Sequence, residues 1–507
     1  MPRYAAIDIG SNSIRMEAAE AAPGQPTRVL GSDREVTRLG ESVFRNGNVS
    51  EEAMRATMAV LTRMAALYRK LEVTAVRAVA TSAIRDTRNQ KEFLERASEA
   101  AGTRVEIISG REEARLIHLG VESVWPQNGK RTLILDIGGG SAEIIAGEDS
   151  HLREAFSKPL GAVRLMEMFL KDDPPSPRQI RELHEYIQEK LASALRRLGN
   201  AGWDRAVATS ATAAAAASAV SRVPRSKRDE IDRLRISGVQ VKRLYVRLSQ
   251  ANLAGRRKVT GIGPRRAEII VPGLAVLLDF MRQFRLPAVY YSRAGVRDGI
   301  IADLAARNVG AERSRLSRDQ RREVEDMARH YGVPLDRARN VAHVANLLFT
   351  ALDTVHGLPP AAGKLLEAAA YLLDIGHYVS SSSHHKHSHY LVSNSDMPGF
   401  TERERVLIAA LCRYHRKALP NPLHKEFQSL TPDERRTLTL LIPILRLADN
   451  LDQQRIESVE TRLRDNNISL LVHLPGELDL GEWRAARSGE VFRDIYNREV
   501  SVSKARA

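Results

Sequence analysis

Two stretches decide the fold: RAVATSA at residues 77–83, which returns unchanged at 205–211, and DIGSNS at 8–13, which returns as DIGGGS at 136–141. Both pairs keep the same offset of 128 residues (77 to 205, 8 to 136). Two repeats in one register read as an internal duplication, with an acidic Gly/Ser loop in each half, and predict twin lobes. Residues 4–7 and 132–135 are short apolar runs of strand type, and each leads into Asp-Ile-Gly before a small-residue loop. In that place Gly10, Gly138, Gly139 and Gly140 are expected to take positive φ and turn N–H groups toward an anion. The aspartates offer oxygen to a hard cation, so two such loops facing each other across a cleft would grip a phosphate chain and its metal. Ordinary strand-to-loop turns, where Asp and Gly are common, are the alternative for either loop alone.

A chain of 507 residues has room for about three domains. Hydrophobic content of 43% and charged content of 27% are those of a globular protein. The single cysteine, Cys412, excludes an intramolecular disulfide and suits a reducing compartment. The start, MPRYAAIDIG, lacks the layout of a signal peptide, and no apolar run reaches membrane-span length, so a cytoplasmic protein without a membrane partner is expected. The net charge of +15 predicts attraction to polyanions. Basic residues are dense between 222 and 266, but Tyr245 is the one aromatic residue there. Platforms for stacking bases are therefore scarce, and an inorganic polyanion is expected rather than specific nucleic acid. A solvated basic surface is the alternative.

Periodicity divides the chain into a first α/β lobe (1–126), a second (127–308), a helical domain (312–455) and a small α+β tail (456–507). A helix is predicted over 50–71 behind a Ser-Glu-Glu start. Another follows the Pro-rich break at 174–177, a strand lies at 288–292, and a helix runs through 298–301. Helical periodicity marks 341–355, 365–373 and 406–411. Strands at 459–463 and 468–474, separated by a turn containing Asp465, Asn466 and Asn467, read as a hairpin. Between the acidic loops, Ser109-Gly110 precedes Glu112 and Glu113, whose carboxylates suit the start of a helix. One of them, placed between two phosphate loops, could deprotonate a water.

Motifs in order then resemble one family. DIGSNS at Asp8, ATSAIRD from Ala80, IISGREEARLI from Ile107, DIGGGSAE at Asp136, PLGAVRL from Pro159, RAEIIVPGL from Arg266, AGVRDGII from Ala294, KHSHYLVSNSDMPGF from Lys386 and RYHRKAL from Arg413 are similar to the exopolyphosphatase and guanosine pentaphosphate phosphohydrolase (Ppx/GppA) family. The resemblance implies duplicated actin-like, sugar-kinase-like (ribonuclease H-like) α/β lobes, followed by an all-α HD-like domain and a small α+β tail. It implies Glu113 as the general base, Arg85 as neutraliser of charge on the phosphoryl oxygens, and Asp136, Glu143 and Asp8 around Mg²⁺ or Mn²⁺. Ser11, Asn12, Gly138, Gly139, Gly140 and Ser141 would bind the terminal phosphate. The expected function is exopolyphosphatase acting on inorganic polyphosphate. The alternatives are hydrolysis of pppGpp to ppGpp, or a non-catalytic polyphosphate or alarmone sensor. A homodimer is expected by resemblance. A nucleotide kinase is disfavoured, because the segment 208–213 that is Gly-rich in such kinases has no glycine here.

Seven of the 14 histidines lie between His377 and His424. Residues 371–377 resemble an HD-domain core, with His343 and Asp449 as outer ligands beside Asp374. Leu373 stands where a ligand histidine belongs, and leucine has no lone pair to offer. A degenerate HD fold that packs and binds polyanion is therefore expected over an active second metal site, with His384, His385, His387 and His389 as surface imidazoles and, as the alternative, substitute ligands.

Overall fold

Each copy of the repeat builds the same sheet. The computed structural model describes residues 1–200, 202–307, 314–452, 454–464, 467–475 and 482–505. It forms two units, Met1–Val309 and Gly310–Ala507. In the first unit, β1 (Arg3–Ile9), β2 (Ile14–Glu20), β3 (Arg28–Glu35), β4 (Ala75–Ala80) and β5 (Val105–Ile107) form a sheet of order β3-β2-β1-β4-β5. Its second sheet contains β6 (Arg131–Ile137), β7 (Ala142–Glu148), β8 (His151–Lys158), β9 (Arg205–Thr209), β10 (Arg235–Ser237) and β11 (Ala288–Tyr291). Read as β8-β7-β6-β9-β11, it repeats the first order, with β10 added at the edge. In each copy the first strand runs antiparallel to the second and parallel to the fourth. This is a duplicated actin-like α/β fold.

The apolar runs are continuous because the central strands are covered on both faces. Tyr4, Ala5, Ala6 and Ile7 are all fully buried, as are Leu133, Ile134 and Leu135. Register then places the acidic residues. Asp8 pairs with Arg15 across β1 and β2, and Asp136 pairs with Glu143 across β6 and β7. Directly opposed residues project from the same face, so each aspartate has a charged companion, cationic in one lobe and anionic in the other.

Each RAVATSA copy is a strand that ends in a helix start: β4 before Ser82–Asp86, β9 before Ser210–Val220. The predicted helix after Ser50 spans Glu51–Lys70, and the Ser50 hydroxyl accepts from the Ala53 N–H. The helix after the Pro-rich break spans Pro177–Leu198, and that after the 288–292 strand spans Val296–Arg307.

The halves meet along the helices Gly110–Val124 and Val296–Arg307. A Cβ on Gly299 would stand 1.8 Å from the Leu116 carbonyl oxygen, so glycine lets the two backbones touch. Beside this contact a buried ion cluster joins the lobes. Arg77 bonds Glu106, Glu112 and Asp303; Arg115 bonds Glu112 and Asp303; Arg307 bonds Asp303. Burial opposes ionisation of Asp303, but Arg115, Arg307 and Arg77 outweigh it and hold the carboxyl below its ordinary range.

The second unit is helical from Arg318–His330 to Pro432–Asn450. It ends in β12 (Ser458–Arg464), β13 (Asn467–His473), helix Glu482–Tyr496 and β14 (Glu499–Lys504), with sheet order β12-β13-β14. The hairpin strands pair as expected; Asp465 and Asn466 of its turn lie outside the described residues. Ile468, Leu470, Val472 and Phe492 share one core with the helices.

Candidate functional site

The two acidic loops close on one cleft in the first unit. Asp8, Ser11, Asn12, Glu113, Asp136, Gly138, Gly139, Gly140 and Ser141 all line it. The loops fold alike: the Gly10 N–H bonds the Ser13 carbonyl at 3.2 Å, and the Gly138 N–H bonds that of Ser141 at 3.0 Å.

The glycines are not there for positive φ. Gly10, Gly138, Gly139 and Gly140 all keep φ out of the left-handed region, contrary to the expectation from sequence. In the second lobe they answer crowding. A Cβ on Gly139 would lie 3.0 Å from Ser11 Cβ, and one on Gly140 would lie 2.6 Å from Ser11 Oγ, Ser82 Oγ and the Phe44 ring. The N–H groups are aimed by another device. The N–H groups of Ala162 and Val163 bond the carbonyls of Gly138 and Gly139, and Arg164 Nε bonds that of Gly140 at 2.7 Å. In a trans peptide the following N–H points opposite to its carbonyl. Pinning three carbonyls to the start of helix Ala162–Phe169 therefore turns the N–H groups of Gly139, Gly140 and Ser141 away from that helix.

Of the two glutamates that open helix Gly110–Val124, the structure separates the roles. Ser109 caps the helix by accepting from the Glu112 N–H. Glu112 belongs to the ion cluster, where Arg115 and Arg77 outweigh burial and hold its carboxyl low. Glu113 faces the cleft, and burial raises its carboxyl against the pull of Arg85. Arg85 donates at 2.9 Å to Glu113 and at 2.8 Å to the Ile108 carbonyl, and it lines a neighbouring groove rather than the cleft.

Asp8, Glu113, Asp136 and Glu143 form a cluster of mutually repelling carboxyls. Burial and Glu113 push Asp136 up to about 7, against Arg15 and a hydrogen bond from Ser210. Burial, Glu113 and Asp136 raise Glu143 well above its ordinary value. Glu143 lies behind the cleft wall and accepts from Ser157 at 2.8 Å. Burial likewise raises Asp8 despite Arg15 and Arg297. Clustered carboxyl oxygens that repel one another are the donor set that a hard divalent cation takes, and such an ion would relieve the repulsion.

The cleft also gathers Arg266 from the basic stretch, together with Arg15, Arg293, Arg297, Thr81, Ser82, Thr209 and Ser210, to which the motifs give no role. The repeat itself was the available signal, since Thr81-Ser82 and Thr209-Ser210 are repeat mates and Arg15 is the mate of Glu143. Ser210 adopts φ 72°, strained for a residue with a Cβ. The Ser11 hydroxyl lines the cleft and accepts from the Ala83 N–H at 3.2 Å, which leaves its own O–H as a donor.

In the second unit, the expected HD positions hold a protein cation. Arg337 donates to Asp374, Asp449 and Asp452 together. His343 donates from Nε2 to the Ile456 carbonyl at 3.0 Å. His384 and His385, expected at the surface, are buried, because the helix His384–Asn394 packs that end against helix Glu402–Tyr414. Among the described residues no helix is long and apolar enough to cross a membrane.

Comparison with known proteins bears on the whole arrangement. Residues 18–308 match the model of the Ppx/GppA phosphatase family, and residues 320–472 match Ppx/GppA phosphatase, domain III. A guanosine-5'-triphosphate,3'-diphosphate pyrophosphatase of Vibrio vulnificus (strain YJ016) is 29% identical over 90% of this chain and 88% of its own. The solved PPX-GPPA enzyme of Aquifex aeolicus is 29% identical with a TM-score of 0.53, covering 59% of this chain and 99% of that one. A solved exopolyphosphatase-like protein is 26% identical with a TM-score of 0.57, covering 60% and 98%.

Proposed function

We propose, on the premise that this chain belongs to the Ppx/GppA phosphatase family, that it hydrolyses the terminal phosphoanhydride of guanosine pentaphosphate. The observation that carries the chemistry is Glu113, a raised carboxylate held by Arg85 at the cleft between two phosphate loops. The name of the Vibrio relative, alike over nearly the whole chain, favours the guanosine substrate over the polyphosphate expected from sequence.

In this mechanism Glu113 accepts the proton of the attacking water, and Arg85 positions Glu113 instead of touching phosphate. The N–H groups of Gly139, Gly140 and Ser141 donate to the terminal phosphoryl oxygens, with Asn12 closing from the first loop. Arg15, Arg266, Arg293 and Arg297 supply positive charge along the cleft. Asp8, Asp136 and Glu143 would hold Mg²⁺ or Mn²⁺, which when bound neutralises charge on the phosphate oxygens.

A second substrate, inorganic polyphosphate, is favoured by a groove that continues from the cleft. Arg34, Arg225 and Arg265 line it, and Asn12 and Arg266 belong to both. Orthophosphate release from the two substrates, assayed side by side with Mg²⁺, decides between them. Faster release from guanosine pentaphosphate is expected, and the reverse preference would replace it with polyphosphate. Glu113→Gln should lower turnover about 10²–10⁴-fold with substrate binding retained. Unchanged turnover would remove Glu113 from the role of base.

A further inference from the structure

We infer that the second unit carries a binding site for a divalent transition metal of the zinc class, built by Asp374, His377, His384 and His415. Asp374 precedes the short helix Ile375–Tyr378, which contains His377. His384 opens the helix His384–Asn394, and His415 follows the last residue of helix Glu402–Tyr414. Ligand atoms of Asp374, His377 and His384 all lie within 4.8 Å of one another.

The spacing is that of a coordination shell. Asp374 Oδ1 is 3.6 Å from His384 Nε2 and 3.7 Å from His377 Nε2, and His384 Nε2 is 3.2 Å from His415 Nε2. Bonds of about 2.0–2.1 Å to a tetrahedral ion place neighbouring ligands about 3.3 Å apart. Asp374, His377 and His384 therefore stand near three corners of such a polyhedron already, and His415 Nε2 lies one edge length from His384.

The supporting contacts fit as well. His415 Nδ1 donates at 2.8 Å to the Cys412 carbonyl, which leaves the Nε2 lone pair directed at the cluster. A ligating histidine is held in the same way, with its other nitrogen donating to a backbone carbonyl. Asp374 is divided: one oxygen takes Arg337, while the other faces the imidazoles. Three nitrogens and one carboxylate oxygen select zinc-like ions over Mg²⁺. The site is open on the side of His377, which is about half exposed (46%). Arg416 stands 3.4 Å from His384 Nε2 and opposes a cation there. A bound ion would clip together the Asp374–His377 turn, the start of helix His384–Asn394 and the end of helix Glu402–Tyr414.

The test uses the full chain stripped with chelator, titrated with Co²⁺ in excess Mg²⁺ so that the carboxylate cleft is filled by the hard ion. One equivalent should develop the visible absorption of a four- or five-coordinate ion and be displaced by Zn²⁺. His377→Ala and His384→Ala should each weaken binding at least about tenfold, since even outer-shell partners are worth that much. Arg416→Gln should tighten it, and His387→Ala should leave it unchanged. His377 is exposed, so its variant keeps the test valid if His384→Ala misfolds. Absence of saturable absorption, or absorption that survives in His377→Ala but is lost in Asp136→Asn, overturns the site.

Discussion

The two acidic loops occupy one position in two copies of one sheet, yet they are unlike parts. DIGSNSIR from Asp8 keeps side chains at Ser11 and Asn12 and ends in Arg15; DIGGGSAE from Asp136 is stripped to glycine and ends in Glu143. The difference follows from contact. The loops press on each other, Ser11 and Asn12 stand where side chains at 139 and 140 would go, and only one loop can keep them. Charge is divided in the same way. The cross-strand companion of the aspartate is a cation in the first lobe and an anion in the second, so the cleft holds both. Duplication supplies the frame, and divergence at matched positions supplies the chemistry.

The largest expected effect breaks that asymmetry. Gly140→Ala drives a Cβ to within 2.6 Å of Ser11 and Ser82 and should cost about 10²-fold in turnover by displacing the loop. Asn12→Ala, at the matching position, should cost no more than about tenfold, the worth of an ordinary hydrogen bond. Equal losses in phosphate release would mean that the loops are equivalent after all.

A smaller effect reads the charged companions through pH. Arg15 lowers Asp136, whose carboxyl stands at about 7, and Asp8 as well. In Arg15→Gln both carboxyls rise, so the ionised fraction at pH 7 falls and the acidic limb of the pH–rate profile moves to higher pH. Activity lost at pH 7 should return in alkaline buffer. Asp8→Asn removes a like charge that raises Asp136 and should move the limb the other way. A pair of profiles that shift together would refute the division of charge.

The smallest effect concerns the repeat mates Ser82 and Ser210. Ser210 sits at φ 72°, where glycine is at ease, whereas Ser82 does not. Ser82→Gly should therefore lower the melting temperature more than Ser210→Gly, by the equivalent of about 1 kcal/mol. Thermal melts of the two variants give the sign directly.

Much of the first unit was legible from local pattern. Strand ends, the Ser50 and Ser109 helix starts and the common register of the loops depend on residues near in sequence or on the repeat. The positive-φ reading of Gly139 and Gly140 failed because the crowding they relieve comes from Ser11, Asn12, Ser82 and Phe44, all far away in the chain. The burial of His384 and His385 was missed for the same reason. Their polar, histidine-rich segment reads as surface until helix Glu402–Tyr414 is laid against it.

The duplication, the strand-to-loop turns and the family motifs are each carried by order and spacing along the chain. How identical pieces are used depends on the fold around them. Arg77 and Arg205 head the same heptapeptide. Arg77 is buried among Glu106, Glu112 and Asp303, while Arg205 stacks 4.2 Å over Trp125 and donates to Gln127. Glu112 and Glu113 are neighbours, but one joins the ion cluster and the other faces the cleft. Charge, burial and partner are properties of the surroundings, and those surroundings are assembled from segments that lie 29 to 226 residues apart along the chain.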